Sequence, residues 1–162
     1  MCYETKKTLF QKIVSKMDES ITLKQGLEKF HKEYENHLSH NKEGISSEAK
    51  AFFLSHDIAH VLFGCDISLF GEGSVKLWTI FGTTLGFWKH IKGYRTANAF
   101  QLSKSFTFVH IVSNIFKLLL SIPVIIIRAR RMCKPWNWTE FEPYLDTPIS
   151  ELRKEFNIKV LR

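Results

Sequence analysis

A chain of 162 residues is one ordinary domain, and 44% hydrophobic with 14% aromatic residues exclude a disordered polymer. Basic side chains outnumber acidic ones by 23 to 16, but unevenly: residues 1–75 carry 9 basic and 11 acidic, whereas residues 76–162 carry 14 and 5. The second half is therefore built to face something negative, such as a nucleic acid, an anionic membrane or a phosphorylated ligand. Cys2, Cys65 and Cys133 are far apart and form no Cys-x-x-Cys, which excludes a disulfide framework and a cysteine-only zinc site and fits a reducing compartment.

The polar start, Met1 to Lys7, leads into no apolar run of signal-peptide length, so an intracellular protein is expected, with 1–20 a loosely packed N-terminal segment. Thr22 is placed to cap a helix running to about His40, with Leu23, Leu27, Phe30 and Tyr34 on one face. A loop over Asn41 to Ser47 follows, then a helix capped by Ser46 or Ser47 and stopped by Gly64. Helices over roughly 72–92 and 96–127 come next, the second bent or ended by Pro123, and a short helix over Pro148 to Phe156 closes the chain. With no alternating strand pattern, the expected fold is all-α: one compact domain, 1–162, of about five to seven helices.

The helix that ends at Gly64 carries the chemistry. Ala49, Phe53, His56, His60 and Phe63 recur at steps of four, three, four and three, so a buried stripe contains two histidines whose rings converge. Asp57 lies at the edge of that face. Glu72, after a loop containing Gly64 and Gly71, can return a carboxylate to the pair if the next helix folds back. Two imidazoles and one or two carboxylates form a donor set for one divalent metal, zinc or iron, with positions left open for substrate. A chance histidine pair and an ordinary Glu72–Lys76 helix salt bridge are the plain alternatives.

The run His56-Asp57-Ile58-Ala59-His60, eleven further residues and Glu72 resembles the His-Asp-x-x-His-x11-Glu signature of the coenzyme Q biosynthesis protein 4 family. Gly71-Glu72 is similar to that family's closing acid, and Pro148 to Ile158 to its C-terminal helix; the likeness spans roughly 48–158. The resemblance implies that His56, Asp57, His60 and Glu72 hold a divalent metal, in an all-helical fold with a hydrophobic pocket for polyprenyl lipids. It further implies a role in ubiquinone synthesis at a membrane: removal of the ring carboxyl of a prenylated benzoate with hydroxylation at that carbon, and organisation of the biosynthetic complex. The shorter chain looks like a compact bacterial relative.

Ser103, Thr107, His110, Asn114, Lys117 and Ser121 form one polar seam along an otherwise apolar helix, which suits either a core helix with a wet edge or a cavity-lining helix whose outside meets lipid. The apolar runs Ser105–Phe116 and Leu118–Ile127 are each shorter than the roughly 20 residues that span a bilayer. Arg128, Arg130, Arg131 and Lys134, followed by Trp136 and Trp138, have the make-up of a peripheral membrane surface, with Lys117 and the three arginines as headgroup ligands. Nucleic acid is not expected, because no recognition motif accompanies the charge. Gly82-x-x-x-Gly86 allows close packing, and Thr79, Thr83, Gly86 and His90 share a face with Glu72 as candidate pocket lining.

Taken together, the expectation is a metal-dependent protein peripheral on the cytoplasmic face of a membrane (the matrix face if mitochondrial), with 46–128 the metal- and lipid-binding core. Asp57 and His60 are its candidate catalytic residues. Its expected partners are a polyprenyl lipid or quinone precursor, an anionic membrane surface, and other quinone-biosynthesis proteins or a second copy. The alternatives are a non-catalytic polyprenyl-lipid-binding scaffold and, third, a metallohydrolase, in which Asp57 would act as base.

Overall fold

The computed structural model describes residues 20–35, 46–96 and 108–161, the side chains of 93–96 and 108–111 excepted. Among them are six α-helices and no strand: α1 Leu23–Tyr34, α2 Ser47–Phe63, α3 Leu69–Gly82, α4 Gly86–Thr96, α5 Phe108–Arg130 and α6 Ile149–Glu155, with a 3-10 turn at Glu142–Tyr144. The all-α expectation holds. The expected N-terminal segment, the far end of the first helix, most of the loop after it and the seam positions Ser103 and Thr107 lie outside the described residues.

Local chemistry accounts for four helix ends. Thr22 and Gln25 form a reciprocal capping box at α1. Ser46 accepts from the Ala49 amide at the start of α2, and Gly64 ends that helix at φ 67°, a left-handed conformation that favours glycine. Ser68 caps α3 by accepting from the Gly71 amide, while Asp66 accepts from the Ser68 amide.

α2 is the central element. Every residue from Ser55 to Phe63 is buried, so polar and apolar side chains alike are enclosed. Leu23 and Phe30 of α1 cover one side, and the Phe63 ring stacks on Trp78 of α3 at 4.7 Å between centroids. From α6, Arg153 donates to the carbonyls of Leu62 and Val61 at 2.9 and 3.0 Å, where the α2 dipole ends. α1 docks on the C-terminal segment through the Leu23 amide to the Thr147 carbonyl and the Ile149 amide to the Ile21 carbonyl.

Three expectations need correction. The helix expected over 72–92 is two helices. Thr83 is extended and pairs with Trp136, whose amide takes the Gly82 carbonyl, and Gly86 then turns at φ 70°. A long-range backbone contact, invisible to periodicity, breaks the helix there. Pro123 does not end α5, which runs on to Arg130: the proline is exposed on the outer side while Ile125 and Ala129 continue the inward stripe. Trp136 and Trp138 are not interfacial, being 1% and 3% exposed; Trp136 packs edge-on against Phe156, and Trp138 against Phe52.

α5 lies along α3, so closely that a Cβ on Gly73 would strike the Leu118 side chain. Of its described seam side chains Ser121 is buried and Asn114 half-buried, while Val112, Ile115, Phe116, Leu119, Leu120, Val124 and Ile127 are exposed. Lys117, of the same seam, is exposed. The two apolar runs, each too short alone, join through Lys117 and Pro123 into Val112–Arg130, 19 residues with mean hydropathy 1.8, long and apolar enough to cross a membrane.

Candidate metal centre

α2 and the first turn of α3 build the centre. His56 and His60 are one turn apart, and the Asp66–Gly71 turn brings Glu72 back beside them. Glu72 Oε1 is 3.2 Å from His60 Nε2, and Oε2 is 3.8 Å from His56 Nε2. One ligand atom from each of the three residues lies within 4.8 Å of the others, the only such group among the described residues. The imidazole centroids are 4.6 Å apart, and Phe30 of α1 stacks on His60 at 5.3 Å.

The His60 tautomer follows from its partners. Nδ1 is 3.0 Å from the Cys65 carbonyl, which can only accept, so Nδ1 carries a proton and Nε2 is the basic nitrogen facing Glu72. This second hydrogen bond is the usual way a protein orients a histidine that ligates metal through its other nitrogen. Lone pairs from two imidazoles and a carboxylate converge, and such a gathering needs a cation within it.

The electrostatics describe the same demand. Burial raises the Glu72 carboxyl, yet His60, by charge and hydrogen bond, with His56 and Lys76 behind it, outweighs burial and holds it at about 2. Burial lowers His60, but Glu72 reverses this and lifts it above the ordinary histidine value. His56 is pushed down to about 4 by burial and by His60, against the pull of Glu72 and Asp57. In the metal-free protein Glu72 therefore favours a proton on His60, and burial keeps His56 neutral. A divalent metal is the other group that fits the same donors.

Sequence reasoning placed His56, His60 and Glu72 together, and the structure brings them together. Asp57 is buried but stands outside the three: its Oδ2 is 3.1 Å from His31 Nε2 on α1. Lys76 Nζ is 4.0 Å from Glu72 Oε2, and Thr79, Thr83 and His90 are buried nearby in the chain, with burial and Lys76 lowering His90 to about 4. Of the expected headgroup ligands, Arg130 and Arg131 are exposed, as is Lys117, whereas Arg128 donates to the carbonyls of Lys159 and Val160. The sequence reading missed Phe30, His31, Cys65 and Arg153. A carbonyl acceptor leaves no mark in a sequence. The other three come from helices distant in the chain, though Phe30 was visible as an apolar-face residue.

The fold and the centre define an all-helical protein with a buried pair of histidines and a carboxylate whose ligand atoms could hold a metal ion. The family model for coenzyme Q (ubiquinone) biosynthesis protein Coq4 matches residues 54–162, more than half of the chain, and the chain belongs to that family. Its part in metabolism is therefore ubiquinone biosynthesis. Comparisons with curated proteins and with solved structures return no match.

Proposed function

We propose that this protein binds one divalent metal, zinc or iron, through His56, His60 and Glu72, and acts at a membrane surface on a prenylated benzoate precursor of ubiquinone. Removal of the ring carboxyl as carbon dioxide, with hydroxylation at that carbon by dioxygen and two electrons from an external reductant, is the reaction. The carrying observation is the convergence of the three ligand atoms within 4.8 Å in a chain of this family. Bound there, the metal would supply Lewis acidity toward a ring carboxylate or phenolate, and iron would add redox chemistry. The chain's own groups do the rest. The Cys65 carbonyl and the Phe30 ring fix the plane of His60. Lys76, 42% exposed beside Glu72, is a cation within reach of an acidic substrate group. Asp57, buried next to His56, is assigned to handling a proton near the metal.

Lipid supply supports the same reading. Among the described residues every exposed large hydrophobic side chain lies between Phe81 and Ile127, on the end of α3, on α4 and on α5, and Trp88 is 81% exposed. Lys89, Lys92, Lys117, Arg130 and Arg131 are exposed around this surface. Apolar area edged by cations suits the surface of an anionic bilayer. Because α5 is packed along α3 by its inner stripe, it lies on the body of the protein, which favours docking at the surface over crossing.

Elemental analysis of protein purified without chelator or affinity metal, beside His60→Ala, tests the reading. Near one equivalent of iron or zinc in the parent, lost in the variant, is expected. Equal background in both, persisting after reconstitution, leaves the alternative favoured by the apolar surface: a lipid-binding scaffold of the same pathway.

A further inference from the structure

α1 lies outside the span that matches the family, yet it reaches the centre twice. Phe30 stacks on His60, and the next residue, His31, meets Asp57. Asp57 is the one acidic side chain of the His-Asp-x-x-His run and is 6% exposed, directly following a metal ligand in the chain. A carboxylate there has two courses: to ligate the metal as a fourth protein donor, or to be held elsewhere. A buried carboxylate needs donors, and His31 supplies one, Nε2–H to Oδ2 at 3.1 Å.

From this geometry we infer that His31 is a positioning residue that holds Asp57 off the metal, so that three protein ligands bind it and a position stays open for substrate. The inference rests on the metal reading above and deepens it. Three ligands and an open position mark a reactive metal site, whereas four protein ligands mark a closed, structural one. On this view α1 decides between them, through a residue that the signature does not contain. His31 touches Asp57 and not the metal, so its effect passes through the carboxylate. The hydrogen bond keeps Asp57 close and uncoordinated, where it can face a group bound at the open position. Removing the donor releases one carboxylate oxygen beside a dication, and coordination then competes with the remaining contacts of Asp57.

The full chain loaded with Co(II) and titrated with sodium azide tests this through the visible spectrum of the metal. Cobalt-loaded parent is expected to show a saturable shift. His31→Ala is expected to weaken azide binding about tenfold or more, the scale on which orienting partners act, and to hold cobalt more tightly against a chelator. Adding Asp57→Asn to His31→Ala should restore the azide response, and His31→Gln, which keeps an N–H donor, should stay near the parent. Circular dichroism reads folding, and His31→Phe, which keeps ring bulk without a donor, carries the same expectation as His31→Ala. A cobalt-loaded parent blind to azide, an unchanged azide affinity in both donor-less variants, or a loss that Asp57→Asn fails to restore overturns the inference. No cobalt uptake by the parent overturns the metal reading itself, which is a separate result.

Discussion

The two sides of α3 obey opposite rules. Toward α2 the protein encloses polar groups: His56, Asp57 and His60 are buried, and Glu72 is drawn in beside them. Along α5 it does the reverse, hiding Ser121 and presenting Phe116, Leu119 and Leu120. Either arrangement alone is costly in water. Buried ionisable groups need partners, and exposed apolar area needs to be covered. The lesson is that each side suits an occupant of its own chemistry, on the proposed reading a cation on one and hydrocarbon on the other, with α3 as the shared wall.

Perturbing that wall should give the largest effects. Trp78→Ala removes the ring that stacks on Phe63 and should cost about 3–5 kcal/mol in chemical denaturation, abolishing both sides together. Gly71→Ala is narrower. A Cβ there would collide with the backbone carbonyl of Asp66, so the turn that delivers Glu72 must shift. A loss of about 1–3 kcal/mol is expected, with metal content falling while vesicle binding persists. If metal uptake survives Gly71→Ala, the turn does not set the position of Glu72.

The opposite dissection replaces Phe116 and Leu120 with Ser. Both are exposed, so thermal stability should change by less than about 0.5 kcal/mol while flotation with anionic vesicles declines and metal content stays. Unaltered flotation would move the membrane contact away from α5.

A further test reads the protein by pH. The buried His90 is held at about 4 against an ordinary 6.5, chiefly by burial and then by Lys76. The unfolded chain therefore binds a proton there before the native protein does. Stability from this residue is complete above about pH 6.5 and is lost as pH falls toward 4, at most about 3 kcal/mol. His56, lowered in the same way in metal-free protein, adds to the loss in the same window. His90→Gln should flatten part of the decline in unfolding experiments between pH 6.5 and 4, and a decline of full size would show that His90 titrates normally.

Much of this architecture is legible in the amino-acid sequence. The stripe Ala49, Phe53, His56, His60 and Phe63 is buried along its whole length, because a 3.6-residue period determines which side chains share a face. Thr22, Ser46 and Gly64 mark helix ends by local chemistry that needs only near neighbours. Glu72 reaches the histidines as its spacing suggests, since a short turn leaves the following helix little choice but to fold back.

What the chain's own pattern determined, then, was everything carried by local periodicity: the all-helical class, the central helix, and a candidate metal-ligand set on two consecutive helices. Tertiary structure decided what depends on contacts across the chain. It broke the helix at Thr83 through Trp136, buried two tryptophans that the sequence pattern assigned to a surface, buried Ser121 of α5, and set His31 against Asp57. The physical reason is the same in each case. A hydrogen-bond partner or a packing neighbour more than about two turns away leaves no period in the sequence, and its identity emerges only when the helices meet.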